Sequence, residues 1–386
     1  MVSMLATLFW VLLIVGIYPY LIYPLLAGII GRLRNRTVLQ RDGYLPTVTV
    51  ITAAFNEAAH IEGTVRNKLT QDYPADKLDM IVVSDASDDG TDEIVSRLAR
   101  EDVRVRLVRQ EPRQGKTSGL NLAIRNASGE IIVFADANSI YRPDAVRMLV
   151  RNFADPAVGY VTGRMLYVNP DNSLVGDGCT AYMRLENRLR VAETRIGSVV
   201  GVDGGIDAVR RALYRPMRPD QLPDFVLPLS VVQQGARVIY EAGAVLTEET
   251  LTSEAAEHRM RVRVALRALW ALWDMRVLLN PFRYGLFSWQ LLSHKVLRYL
   301  SFVPLALAAL CNWFLLPQGM VYQVGAVAQC VFALLVLCAT RSSGPLAAWA
   351  PVRYCHYFFL LNWASAVALG RFLQGDKQVV WQPRVG

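Results

Sequence analysis

The run IIVFADANSIY, residues 131–141, closes five apolar residues with Asp136-Ala137-Asn138. A short apolar run bounded by polar punctuation reads as a buried strand. In extended chain, residues i and i+2 share a face, so the oxygens of Asp136 and Asn138 point the same way. Such hard donors suit a Mg²⁺ or Mn²⁺ ion that also binds a substrate phosphate. The same tripeptide also fits an ordinary turn, and its neighbours must decide. Upstream lie Asn56-Glu57 and Asp85, the latter followed by Asp88-Asp89-Gly90-Thr91, itself a turn and helix-cap sequence. Lys116, in Arg113-Gln114-Gly115-Lys116, is a cation able to meet phosphate charge, or a solvated charge at a helix start. Asp224 immediately precedes an apolar helical run, which by itself is an N-cap position.

The elements that carry these residues alternate. Val48–Ala53, Met80–Ser84, Val103–Val108 and Ile131–Ala135 read as strands. Between them, 57–69, 91–100 (with Thr91 as N-cap) and 115–126 read as helices. The expected fold class is α/β, a mainly parallel sheet with flanking helices. In such sheets ligands bind beyond the carboxyl ends of the strands, where the polar clusters fall. Carboxylates crowded on one edge repel unless a cation compensates them. No GxxxxGK[ST] loop and no GxGxxG follows the first strand, which argues against P-loop kinases and Rossmann dehydrogenases. Beyond Tyr141, 158–168 suggests a strand and 180–194 a helix. Residues 201–211 form a glycine-bearing segment, in which Gly204 and Gly205 permit close backbone approach to a ligand. Residues 238–246 suggest a strand pair or bent strand.

The chain of 386 residues is 53% hydrophobic and carries a net charge of +8, with its apolar residues gathered at both ends. That balance fits a protein beside an anionic membrane or one that takes anionic ligands. No basic block with interleaved aromatics is present, so nucleic acid is not an expected partner. The five cysteines lack C-x-x-C spacing and read as small apolar filler. Residues 1–30 contain no charge and exceed the ~20 residues that a bilayer requires. Arg32, Arg34 and Arg36 follow, which places the N-terminus outside and the next segment in the cytoplasm. Pro19 and Pro24 would kink this span. Residues 257–280, with Arg259, Arg261, Arg263 and Arg267 among Leu, Val and Trp, read as a basic amphipathic helix on the membrane surface. Residues 296–316, 319–339 and 351–373 are further candidate spans, the last weakened by Arg353 and His356.

Together TVTVITAAFNEAAHI, IVVSDASDDGT, QGKTSGLNLAI and VFADANSIYRPDAV resemble the nucleotide-sugar domain of membrane-integrated family 2 glycosyltransferases. These are inverting enzymes of the GT-A fold, including synthases of cellulose, chitin, hyaluronan and poly-N-acetylglucosamine. The resemblance extends over about Thr47–Arg267 and implies the roles that follow. Ala54, Asn56, Glu57 and Asp85 would hold the nucleobase and ribose of the donor, expected to be a UDP-sugar. Asp136 and Asn138 match the family's D-x-D metal position, with Asp136 the stronger ligand. Gly204 and Gly205 would lie behind the donor sugar. Asp224 matches the catalytic base, although Pro223 replaces the acidic residue that usually precedes it. Arg263 falls on the Arg of the Q-x-x-R-W motif of processive relatives, while Met260 and Val264 replace its Gln and Trp, which argues against long-polymer processivity.

The implied organisation is an N-terminal membrane helix (1–31), a cytoplasmic catalytic domain (45–250), amphipathic interface helices (251–290), C-terminal membrane segments (291–375) and a tail (376–386). The implied activity is metal-dependent sugar transfer to a saccharide or lipid-linked saccharide, at the inner face of the plasma membrane. A membrane transport or regulatory protein with an inactive sugar-nucleotide domain is the competing class. The presence of both Asp136 and Asp224 argues against it. A nucleotidyltransferase would need a glycine-rich signature near the first strand, and AAFNEA is not one.

Overall fold

The computed structural model describes residues 2–168, 174–249, 254–341 and 349–378. The tail expected at 376–386 therefore lies outside the described residues beyond 378, as do the first three residues of the interface segment expected from 251.

Among the described residues eight strands form one sheet: β1 (Val48–Ala54), β2 (Leu78–Ser84), β3 (Val105–Arg109), β4 (Ile131–Asp136), β5 (Ile140–Tyr141), β6 (Val158–Val168), β7 (Ile206–Arg210) and β8 (Arg237–Glu249). Their order is β3-β2-β1-β4-β7-β6-β8-β5. The first four are parallel, as the strand–helix alternation requires. β7 is antiparallel to both β4 and β6, β5 is antiparallel to β8, and β6 pairs with β8 in parallel, so the sheet is mixed. β7 enters from the Gly204-Gly205 turn, after β6 and a helix at Leu174–Ile196, and runs antiparallel to both of its neighbours. β8 is a single strand with register shifts against β6, which accounts for its reading as bent.

The helices of this part are α3 (Ile61–Leu69), α4 (Thr91–Glu101), α5 (Lys116–Asn126), α6 (Ala145–Val150), α7 (Leu174–Ile196), α8 (Pro223–Gln233) and α9 (Glu254–Asp274), preceded in the chain by α1 (Val2–Ile17) and α2 (Ile22–Arg34). Alternate residues of β1 serve opposite cores, because side chains alternate across a strand. Val48 and Val50 pack with Ile61, Val65, Val95 and Leu98 of α3 and α4. Ile51 and Ala53 pack with Leu120, Val226 and Ala268 of α5, α8 and α9. Thr91 is the first helical residue rather than the cap. Gly90 holds the cap position at φ +95°, and Asp89 accepts the Thr91 N–H.

The chain ends with the short helices α10 (Pro281–Tyr284), α11 (Leu286–Leu291) and α12 (Leu297–Leu300), then α13 (Phe302–Leu315), α14 (Met320–Arg341) and α15 (Ala350–Leu373). Among the described residues one straight helix, Met320–Thr340, is long and apolar enough to cross a membrane. The expected N-terminal span is a bent pair, Val2–Ile17 and Ile22–Arg34, at 56°. The break falls at Tyr18–Leu21, where Pro19 lacks the N–H a continuous helix would use. Leu286–Leu300 and Phe302–Gln318 form a second bent pair at 55°. α15 is not among the helices that pass as spans. It carries Arg353 and His356 and packs through Ala368 on Ala265 and Leu266 of α9.

Candidate active site

Parallel register places the carboxyl ends of β1, β2 and β4 together: Ala54 pairs with Ser84, and Ala53 with Asp136. Asn56, Asp85 and Asp136 therefore emerge on one edge. Asn56 takes φ +55° and bonds Asp88 twice: its Nδ2 donates to the carboxylate at 2.8 Å, and its Oδ1 accepts the Asp88 N–H at 3.1 Å. The Glu57 N–H donates to Thr91 Oγ1 and the Ala58 N–H to Asp89 Oδ2, each at 2.9 Å. Asp88 and Asp89 thus fasten the β1 loop to the β2 loop, which is the structural half of their sequence reading. Burial pushes the Glu57 carboxyl up, with Asp136 adding to the effect and His60 opposing it.

Asp85 is buried, and its carboxylate accepts the Gln114 N–H at 2.8 Å, the Gly115 N–H at 3.0 Å and the Gln110 side chain. Arg113 pairs with it at 3.5 Å and lays its guanidinium 3.4 Å from the Phe55 ring centroid. A carboxylate taking several N–H donors organises backbone. Here it shapes the loop that starts α5 and so aims Lys116, the first residue of that helix.

Lys116 Nζ donates to Asp136 Oδ1 at 2.7 Å and lies 3.8 Å from Asp224 Oδ2. Burial opposes its charge, but Asp136 and then Asp224 outweigh it and raise the ammonium's basicity. Asp224 sits second in α8, after Pro223, and does not cap it: the cap position belongs to Leu222. Its side chain is 32% exposed, open enough for an acceptor to reach. The Gly204-Gly205 turn passes directly over both carboxylates, at φ +72° and +70°. A Cβ at Gly204 would stand 3.0 Å from Asp224 Oδ2, and one at Gly205 3.0 Å from Asp136 Oδ2. The expected residues Asp136, Lys116, Gly204, Gly205 and Asp224 therefore converge. Ala54, fully buried at the end of β1, contributes backbone only: its carbonyl accepts the Asp85 N–H at 2.9 Å.

Four contributors escaped the sequence reading. Arg267, one turn beyond Arg263, donates to the Gln221 carbonyl at 2.6 Å and lies in the field of Asp224; burial lowers its basicity to about 10. Arg263 is half-buried, its basicity lowered by burial. The four-residue spacing of Arg263 and Arg267 put both on one face of α9, and only packing distinguishes them. Thr64 Oγ1 donates to the Ala137 carbonyl and Lys68 Nζ to the Ser139 carbonyl, both at 2.6 Å. These bonds fix the backbone on either side of Asn138. Asp207, buried on β7, has its carboxyl pushed up to about 8 by burial and by the charge on Asp224.

Residues 49–214 match the family model for glycosyl transferase family 2. The poly-β-1,6-N-acetyl-D-glucosamine synthase of Staphylococcus aureus is 28% identical over 246 residues, 62% of this chain and 57% of the synthase. The chain carries a family 2 glycosyltransferase domain. The chain thus matches little more than half the length of that relative. The β-monoglucosyldiacylglycerol synthase of Trichormus variabilis is 29% identical over 174 residues, 45% of this chain and 37% of the synthase. A mannosyltransferase from Pyrobaculum calidifontis, solved with GDP-Man and Mn²⁺, superposes with a TM-score of 0.74 and 25% identity, across 96% of this chain and 99% of its own. That likeness spans the GT-A sheet and the apolar helices together.

Among the described residues no group of three or more His, Cys, Asp or Glu stands ready to hold a metal. Asp136 and Asn138 alone offer one carboxylate and one amide. That donor set suits Mg²⁺ or Mn²⁺, which usually bind through one or two carboxylates plus substrate phosphates. The Lys116 ammonium on Asp136 Oδ1 shows that the position accepts positive charge. The residues fit a substrate-completed site, not a protein cage.

Proposed function

We infer that this glycosyltransferase moves a sugar from a nucleotide-sugar donor to a saccharide or lipid-linked saccharide, with inversion, at the cytoplasmic face of a membrane. The observation that carries the reading is Lys116 held between Asp136 and Asp224 beneath the Gly204-Gly205 turn. Asp136 and Asn138 would hold a divalent ion. When bound, that ion supplies charge stabilisation for the leaving diphosphate. Asn56, Glu57 and Asp85 form the pocket for the nucleoside, Asp85 by shaping the 110–115 loop. Gly204 and Gly205 leave room for the sugar ring above the two carboxylates.

Asp224 accepts the proton of the acceptor hydroxyl as that oxygen attacks the anomeric carbon. The new C–O bond forms on the face opposite the diphosphate as the old one breaks, so one displacement inverts the centre. Lys116 meets part of the negative charge that grows on the departing diphosphate. Arg267 adds positive potential from α9 and anchors the 221 carbonyl ahead of Asp224. A retained base, cation and metal position disfavour an inactive domain. The altered Q-x-x-R-W region favours short or single additions over a long polymer.

The test is incubation of the purified, detergent-held protein with UDP- and GDP-sugars and Mn²⁺, followed by sizing of products. Turnover of one donor to the nucleoside diphosphate with single or few additions supports the reading. No turnover of any donor, with or without lipid-linked acceptors, sinks it.

A further inference from the structure

A cavity of about 80 Å³ lies between the catalytic domain and the apolar helices, where α9, the turn before α12 and α15 meet. One water needs only ~10–15 Å³ on this measure, so a larger group fits. Its wall presents three cations, Arg261, Lys295 and Arg298, and no carboxylate. The acids nearby are taken by two of these cations and by His294, which leaves Lys295. Glu186 is bound by Arg298 and by His294 Nε2 at 3.1 Å, and Glu193 by His294 Nδ1 at 2.8 Å. Glu257 accepts from Arg261 at 2.8 Å. Tyr182 orders the two guanidiniums, which stand 5.8 and 5.0 Å from its ring centroid. Among the described residues no carboxylate lies within ion-pair distance of the Lys295 ammonium. A half-buried cation without a counter-charge is costly, and a bound anion would offset it.

The cavity also has an apolar side, formed by Val264 of α9 and by Leu361 and Ala364 of α15. A free inorganic anion would not use such a wall, whereas an amphiphile would. The cavity adjoins the reaction centre. A Cβ at Gly201 would stand 2.4 Å from Lys295 Nζ, and the ammonium lies 5.7 Å from the Phe225 ring centroid. Gly201 opens the segment that ends in Gly204-Gly205, and Phe225 follows Asp224.

We propose that this cavity binds the phosphate group of a lipid-linked acceptor, with Lys295 as its main charge partner, Arg261 and Arg298 flanking, and the chain leaving along α9 and α15. The proposal rests on the glycosyltransferase reading and narrows its acceptor to a phospholipid-like carrier. A phosphate seated there places the attached saccharide beside Asp224. The arrangement supplies charge where an amphiphile's head would enter and apolar contact where its tail would leave.

The experiment measures binding to the full chain in detergent with three probes: farnesyl diphosphate, farnesol and inorganic pyrophosphate. Nucleoside diphosphate with Mn²⁺ is titrated in parallel. Farnesyl diphosphate is expected to bind at least about tenfold more tightly than either other probe. Lys295→Gln is expected to weaken farnesyl diphosphate at least about tenfold while leaving nucleotide binding within about threefold, and Lys295→Arg to restore most of the loss. Nucleotide binding by the variant shows that it is folded. Equal binding of pyrophosphate overturns the lipid source, and equal binding of farnesol overturns the phosphate site. Unchanged farnesyl diphosphate binding in Lys295→Gln overturns the role of Lys295. If nucleotide binds and farnesyl diphosphate does not, this inference fails while the donor-site reading stands.

Discussion

Lys116 Nζ stands 2.7 Å from Asp136 Oδ1 and 3.8 Å from Asp224 Oδ2, so one ammonium, carried on α5, joins a strand end to the start of α8. The two carboxylates would otherwise face each other uncompensated across a narrow site, at a cost that grows as water is excluded. In the proposed mechanism the same cation meets charge on a departing diphosphate. Lys116→Met should lower kcat/KM by about 10²–10³-fold, the scale of losing one charge-stabilising donor. Initial rates with the donor found by the nucleotide-sugar panel check this. Rates within twofold of the parent would remove Lys116 from the site.

The proposed mechanism gives Asp224 and Asp136 separable tasks. Asp224→Asn keeps the shape of the side chain but cannot accept a proton, so transfer should fall about 10²–10⁴-fold. Nucleoside diphosphate and Mn²⁺ should still bind within about threefold of the parent affinity, because the proposed base acts on the acceptor and not on the donor. Calorimetric titration beside a turnover assay separates the two. Undiminished turnover would sink the assignment of the base.

The parallel half of the sheet was legible because β1, β2 and β4 are largely apolar runs, and β2 and β4 close on Ser84 and Asp136. β1 is buried at every position, and β4 at all but Asp136. The mixed half was less so, since β7 is five residues long and its pairing with β4 and β6 is made across long intervening segments of chain. Asp136, Lys116 and Asp224 could be picked out by type and neighbourhood, but not the single ammonium linking them, since that contact depends on tertiary packing. Lys68 was hidden for the opposite reason. It reads as a surface helix residue, yet it is buried, packs 3.8 Å from the Tyr141 ring centroid and bonds the Ser139 carbonyl. Composition records length and apolarity but not the bends of 56° and 55° that divide two of the spans.

Gly204 and Gly205 offer a sharper test of the site than a charge deletion. Both occupy the left-handed region, where an L side chain costs roughly 1–3 kcal/mol, and each would direct its new Cβ at a different carboxylate. Gly205→Ala presses on Asp136, so the Mn²⁺ concentration for half-maximal rate should rise severalfold. Gly204→Ala presses on Asp224, so kcat should fall while the Mn²⁺ requirement stays near that of the parent. A metal titration of both variants reads the difference. Identical profiles would show that the turn supports the fold without shaping the two halves of the site separately.

Asp207 gives the domain a distinctive pH response. Burial, aided by the charge on Asp224, pushes its carboxyl from an ordinary 3.8 to about 8 in the folded chain. Between about pH 4 and about pH 8 the folded state therefore holds a proton that the unfolded state has released. The folded state binds more protons, so stability falls as pH rises through this window. Below it both states are protonated, and above it both are ionised, so the contribution levels off on either side. Asp207→Asn keeps a neutral polar group of the same shape and should remove this part of the slope, with the gain in Tm over the parent largest near pH 8 and smallest near pH 5. Thermal unfolding of the two proteins across that range measures it. A variant whose Tm tracks the parent at a constant offset would show that Asp207 is ionised in the folded chain at neutral pH.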